Sequence, residues 1–313
     1  MAQKAVLITN PKSGAHLAGA EPPGRVKGWL EASGLAVEAL DGPVGAQIKA
    51  SLESEADIVV VDGGDGTINA AIAAHAGGER PIGIVPGGTM NLLATDYGVP
   101  LQRQAAARAI ARGSVRAFDA ARLGEHVFLH TAFTGLPARL GVHREHLRGR
   151  LTIRDRLRLA FHAVMTVRRD QRLTVEGTRV GDGDVELTSR TLAFVVGNVS
   201  GAMLPRPHRE TGEVGAVTAF AVEAGSGLDL ARLVVRGALG DLAEDPTVTR
   251  ETLSGGTVSG RRRATHAMLD GESVHLRLPA PLALMPGAVR IIVPPAAAAA
   301  KAEAEGAADP AIR

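Results

Sequence analysis

Three glycines and two aspartates close an apolar run in Val59-Val60-Val61-Asp62-Gly63-Gly64-Asp65-Gly66-Thr67-Ile68-Asn69, and an alanine-rich helical pattern follows at once. These types in this order describe a buried strand, a tight turn and a helix N-terminus. Glycine lets the backbone take positive φ and approach a ligand closely, and the unpaired N–H groups of a first helical turn favour an anion. A phosphate-bearing ligand is the natural occupant, although glycines also follow strands merely to make a turn. Two further polar or glycine-rich stretches end apolar runs, Asn10-Pro11-Lys12-Ser13-Gly14 and Pro86-Gly87-Gly88-Thr89. Near the far end, Asp270-Gly271-Glu272 puts carboxylates between the strand-like runs Ala267–Leu269 and Ser273–Leu278, where the plain reading of Asp270 is a turn residue.

The elements that must carry these loops alternate. Strands are expected at Ala5–Ile8, Val37–Leu40, Ile58–Val61 and Ile82–Val85, and helices at Arg25–Ala32, Ala46–Leu52, Ile68–Ala76, from Asn91, and at Arg103–Arg112. Such alternation gives a parallel sheet with helices on its faces, and ligands of such sheets sit at the carboxyl ends of the strands. All three loops end strands, so they converge on one rim. After about Ser114 the pattern becomes strand-rich: Phe118–Leu123, Val127–Phe133, Leu173–Val180, Leu192–Val199, Val217–Val222 and Ala267–Leu278. Asp182-Gly183-Asp184 reads as a hairpin turn rather than a calcium loop, because no run of oxygen ligands follows it. Two helices interrupt this half, Leu228–Leu239 and one starting at Thr152, whose spacing to Asp155 suits a capping box. The expectation is an α/β domain over residues 1–114, an antiparallel, sandwich-like β domain over 115–285, and an unpacked alanine-rich tail over 295–313.

At 313 residues the chain exceeds one typical domain, and 45% hydrophobic with 22% charged residues is a globular composition. The formal net charge of +2 is too small to argue for nucleic acid. With no cysteine, disulfides, thiolate metal sites and a cysteine nucleophile are excluded. No run suits a signal peptide or a membrane span, so the expected setting is cytoplasmic, at most peripheral at the inner face of a membrane.

Taken in order, Asn10–Gly14, Gly63–Thr67, Pro86-Gly87-Gly88-Thr89-Met90-Asn91 and Asp270-Gly271-Glu272 resemble the motifs of the diacylglycerol kinase catalytic-domain family, which includes bacterial soluble lipid kinases and sphingosine kinases. The glycine–aspartate loop is shared with NAD kinases and phosphofructokinases; the late Asp-Gly-Glu and the β-rich second half single out the lipid kinases. The resemblance runs to about Pro294. It implies a nucleotide-binding α/β lobe, a β-sandwich lobe, a cleft between them, and a return of residues 286–294 to the first lobe. It implies ATP and magnesium as cofactors and a lipid alcohol, diacylglycerol or a relative, as acceptor. Gly63, Gly64, Asp65, Gly66 and Thr67 would hold the phosphates with Gly88 and Thr89; Asn10 and Asn91 would shape the site. Asp270 matches the general base, Glu272 a neighbour contacting nucleotide or metal, and Asp119 a member of a supporting charged network; Asp65 and Glu272 are the metal candidates.

The match has departures. Leu92 stands where many relatives have aspartate, Ala15-His16 where a basic residue is frequent, and Thr211–Val214 lacks an aspartate linked in relatives to a structural cation. These motivate a second reading, a catalytically weak nucleotide- or lipid-binding protein; an NAD kinase-like enzyme is a third. Residues 139–172 hold ten arginines against Glu145, Asp155 and Asp170. They read equally as a solvated helix face or as a surface drawn to anionic lipid headgroups, and without interleaved aromatics they do not suggest nucleic acid. Among the histidines, His126 and His130 would share a strand face about 13 Å apart, too far for one ion. His143 and His146 lie among arginines, and Arg261-Arg262-Arg263 faces phosphate or solvent. Oligomeric state leaves no mark in the sequence.

Overall fold

A computed structural model describes residues 2–14, 24–135, 171–181, 183–197, 199–200, 208–209, 215–223 and 245–295. The chain divides into two units, Met1–Phe118 with the residues from Gly287 onward, and Asp119–Pro286.

The first unit alternates as β1 (Lys4–Thr9), α1 (Arg25–Ala32), β2 (Ala36–Ala39), α2 (Val44–Glu53), β3 (Ile58–Gly63), α3 (Asp65–His75), β4 (Ile82–Pro86), α4 (Leu92–Asp96) and α5 (Arg103–Arg112). Its sheet runs β2-β1-β3-β4 with every pair parallel, Ala5 opposite Ile58 and Val59 opposite Ile82. The end of the chain's last strand adds beside β4, also parallel, with Ile291 opposite Ile82. All six residues of β3 are buried, the near-continuous apolar run expected where helices cover both faces of a parallel sheet. Leu7, Leu30, Ile58, Val60, Val85, Ile110 and Ile292 form one core cluster; each such side chain contributes roughly 1.5–3 kcal/mol by leaving water.

The second unit is antiparallel. Its strands are β5 (Ser114–Leu123, entering from the first unit), β6 (His126–Phe128), β7 (Thr131–Thr134), β8 (Leu173–Arg179), β9 (Asp184–Ser189), β10 (Thr191–Val196), β11 (Val199–Ser200), β12 (His208–Arg209), β13 (Val217–Val222), β14 (Val248–Gly260), β15 (Ala264–Leu269), β16 (Glu272–Arg277) and β17 (Ala280–Val293, ending in the first unit). A path β16-β15-β7-β10-β13-β14 is extended from β14 to β8 and to Ala280–Ala283 of β17. Alternate residues of β10 serve different cores: Leu192, Phe194 and Val196 pack with Phe128, Leu253 and Leu276, whereas Ala193 and Val195 pack with Phe220 and Val248. That is the period of two of a strand buried on both faces.

The structure departs from the sequence expectation in places. Helix α3 begins at Asp65, three residues before Ile68, because the glycine loop itself supplies the first helical turn. The single strand expected at Val127–Phe133 is two, β6 and β7, and the break at Leu129-His130 has a cause given below. Strands β9, β14 and β17 were not anticipated. β14 carries Gly255-Gly256, and β17 carries Pro281 and Pro286-Gly287, residues that weaken a strand signature. β8 and β9 pair as a hairpin, with Thr178 opposite Asp184; Asp182 of the expected turn lies outside the described residues. The helices expected at Leu228–Leu239 and from Thr152, the Thr211–Val214 segment, His16, His143, His146 and most of the tail lie outside the described residues. No helix among the described residues is long and apolar enough to cross a membrane.

Candidate functional site

In the first unit the three loops interlock at the carboxyl ends of β1, β3 and β4. The Asn10 N–H donates to the Asp62 carbonyl at 3.0 Å, and Asn10 Nδ2 donates to Thr67 Oγ1 at 2.7 Å. Because Lys12 N donates to Asn10 Oδ1, the amide orientation is fixed, and the Thr67 hydroxyl, having accepted from Asn10, keeps its own proton to donate. Gly87 N donates to the Gly63 carbonyl at 2.8 Å, and Gly88 N to Asn91 Oδ1 at 2.8 Å. Asn91 stands in the left-handed region, φ +48°, ahead of α4, a conformation asparagine tolerates better than most residues. The Asp65 Oδ1 accepts from Leu93 N at 3.2 Å, so this carboxylate ties the start of α3 to α4.

The glycines at this junction are required by space. A Cβ on Gly63 would lie 2.9 Å from Thr67 Cβ, and one on Gly88 3.0 Å from Gly64 Cα. The residue ahead of α3 is Gly64, and no side chain caps the helix, so the N–H groups of its first turn are left for an anion. The sequence-derived residues Asn10, Gly63, Gly64, Asp65, Gly66, Thr67, Gly88, Thr89 and Asn91 are all brought together here. Thr67 is buried, whereas Gly66 and Thr89 are exposed.

Beneath the loops lies an ion pair that sequence reasoning missed. Asp62, 1% exposed, pairs with Arg103: Nη2 donates to Oδ2 at 3.2 Å, and Nη1 lies 2.9 Å from Oδ1. Two signals in the sequence pointed to it: an aspartate ending a fully apolar strand, and an arginine opening α5, where the helix dipole disfavours a cation.

Asp270 lies in the second unit. It and Gly271 are the two central residues of the β15–β16 hairpin, at φ +48° and +90°, with Leu269 opposite Glu272; this is the Asp-Gly turn whose two positive φ values suit the strand twist. The Asp270 carboxylate accepts three consecutive backbone N–H groups, Oδ2 from Leu129 at 2.6 Å, and Oδ1 from His130 at 2.9 Å and Thr131 at 2.8 Å. Its own N–H donates to the Thr131 carbonyl at 2.8 Å. Those donors turn toward a side chain instead of a neighbouring strand, which is why β6 and β7 are separate. For the same reason His130 does not share a strand with His126. Glu272 is exposed at the start of β16, and Asp119 is half-buried in β5. Among the described residues no three His, Asp or Glu side chains group around a potential metal position. Magnesium needs only one or two carboxylates when it arrives with phosphates and water. Asp65 suits that demand with its second oxygen, since its first is held by Leu93 N.

Residues 4–123 match the model of the family described as the diacylglycerol kinase catalytic domain. No curated protein matches the chain. Among solved structures, a candidate diacylglycerol kinase from Bacillus anthracis str. Sterne is similar at 21% identity and a TM-score of 0.66, covering 94% of this chain and 98% of that one. A diacylglycerol kinase structure from the same organism covers the same shares at 20% identity and a TM-score of 0.62. Over residues 4–123, then, the chain matches the diacylglycerol kinase catalytic domain that its motifs resemble, and over nearly its whole length it shares the fold of these structures.

Proposed function

We propose that the protein is an ATP-dependent lipid kinase that transfers the γ-phosphate to the hydroxyl of diacylglycerol or a related lipid alcohol. The observation that carries this reading is the interlocking of three strand-end loops around a Cβ-free floor and an uncapped helix N-terminus. The N–H groups of α3's first turn bind phosphate oxygens, the Thr67 hydroxyl adds a donor, and Asn10 and Asn91 hold the loops in register. Catalysis in such a site is chiefly positioning and charge stabilisation. Magnesium, bound with the nucleotide, supplies neutralisation of phosphate charge, with Asp65 and Glu272 as the residues to hold it. Asp270 is the general base. The three backbone donors fix its orientation, and a carboxylate accepts the acceptor hydroxyl's proton as the new P–O bond forms and the bond to ADP breaks. Asp119 belongs to the charged residues supporting it. We place the enzyme in the cytoplasm, meeting its lipid at an anionic membrane surface.

The test is transfer of labelled phosphate from ATP to a panel of lipid alcohols and to NAD. Label in a lipid supports the proposal, and label in NAD alone replaces it with a soluble-substrate kinase. ATP binding without label in any acceptor favours the second reading, a weak nucleotide- or lipid-binding protein, for which Leu92 is the specific motive.

A further inference from the structure

We propose that Arg103 and Asp62 form a positioning pair for the anion-binding loops, a role that rests on the kinase reading only for its link to ATP. The pair sits where the three loops meet. Asp62 lies opposite Thr9 in β1 and Val85 in β4, and its carbonyl accepts from Asn10, so its main chain already joins the first loop to the second. Its carboxylate reaches α5, where Arg103 Nη2 donates to Oδ2 at 3.2 Å and Nη1 lies 2.9 Å from Oδ1 as an ion pair. The guanidinium in turn underlies the third loop. A Cβ on Gly87 would come within 2.8 Å of Arg103 Nη1, 3.1 Å of Ser13 Oγ and 3.3 Å of the Gly63 carbonyl carbon, and Nη1 lies 3.5 Å from the Pro86 carbonyl oxygen. One planar cation thus touches the floor of the Pro86–Gly88 segment, while its counter-ion belongs to the strand that launches the Gly63–Thr67 loop.

Two properties suit this pair to positioning rather than to stability alone. Buried ion pairs contribute little net stability, because desolvation offsets their attraction, whereas removing one partner strands a charge. Arginine's planar guanidinium facing a carboxylate is, however, more specific in geometry than a point charge, and the pair ties α5 to the end of β3. In the segment the guanidinium touches, the N–H of Gly87 is held by the Gly63 carbonyl and that of Gly88 by Asn91. Holding these amides before a ligand arrives is preorganisation, which removes an ordering cost from binding.

The experiment compares Arg103→Met, Arg103→Lys and the double variant Asp62→Asn/Arg103→Met with the natural protein. Hydrogen exchange over residues 84–92 is followed in ligand-free protein, beside thermal melting and KM for ATP. Arg103→Met melts lower because the buried Asp62 carboxylate loses the guanidinium. The double variant recovers that melting temperature, yet residues 84–92 exchange about tenfold faster and KM for ATP rises by a similar factor, the loss of roughly one charge-assisted hydrogen bond. Arg103→Lys, with charge but no fork, falls between. A double variant with natural exchange over residues 84–92 overturns the proposal and leaves the pair a buried salt bridge only. Should the natural protein bind no ATP, the kinase reading fails on its own, and the exchange comparison still decides whether the pair positions the loops.

Discussion

Asp270→Asn is the substitution by which a base is ordinarily tested, and here it perturbs the fold as well as the chemistry. Asparagine offers one acceptor oxygen where aspartate offers two. If that oxygen keeps the N–H groups of His130 and Thr131, the amide nitrogen faces the Leu129 N–H, donor against donor, where a 2.6 Å bond stood. An unsatisfied backbone donor costs about 1–3 kcal/mol, and the two surviving bonds fall to roughly half their strength once the charge is gone. Since Asp270 is only half-buried, water relieves part of this, and we expect a loss of about 2–3 kcal/mol. Urea unfolding followed by tryptophan-independent far-UV signal reads the loss as a lowered midpoint at unchanged slope. Hydrogen exchange at Leu129 should rise in step. Transfer activity is then measured well below the variant's own transition, so that lost chemistry is separated from lost structure. An unfolding midpoint equal to that of the natural protein would refute the claim that this carboxylate holds the 129–131 segment.

Three further outcomes follow from the geometry. Gly63→Ala forces a methyl against Thr67, 2.9 Å from its Cβ, so a destabilisation of about 1–3 kcal/mol should accompany weaker ATP binding in calorimetry; unaltered affinity counts against the loop as the phosphate site. Asn91→Ala loses the acceptor for Gly88 N and suffers at φ +48°, whereas Asn91→Gly loses only the acceptor; alanine should melt lower than glycine by about 1–2 kcal/mol, the left-handed backbone term. His75 Nε2 contacts Ser51 Oγ at 2.9 Å, and burial, then the charge of Arg80, holds its pKa below the ordinary 6.5. Its neutral form is therefore the folded one: stability is complete above about pH 6.5 and declines as pH falls below it, because the unfolded chain takes the proton first. Unfolding free energy measured from pH 8 to pH 5 should show this slope, and His75→Gln should flatten it.

The α/β unit was largely legible in the sequence because its strands are buried on both faces and read as continuous apolar runs, as in Val59–Val61, and because its helices keep their period. Arg25–Ala32 and Arg103–Arg112 coincide with the expected helices. The loop motifs were legible too, since glycine–aspartate runs at strand ends have few structural uses. What could not be read were pairings between distant positions. Arg103 is out of place at a helix N-terminus, yet nothing in the sequence names Asp62, 41 residues away, as its partner. Nothing local in Leu129-His130-Thr131 says that its amides serve a carboxylate some 140 residues later. The long strands β14 and β17 were hidden by their glycines and prolines, whose positions are tolerated because pairing and bulges come from elsewhere in the fold.

The last strand carries a consequence for how this protein is made. Ile291 pairs with Ile82, the Ala288 carbonyl accepts from Gly77 N at 2.8 Å, and Ile292 packs into the cluster of Leu30 and Ile110. The sheet that begins at Lys4 is therefore completed by residues near 290, after the whole second unit has been synthesised. On the ribosome the first unit waits with the edge of β4 uncovered while the antiparallel unit emerges and folds between its two parts. Contacts of such sequence separation are slow to form and leave strand edges open in the meantime. A fragment ending near residue 123 holds the loops, yet it lacks the strand that closes their sheet. Early termination should thus yield aggregation rather than a small working domain.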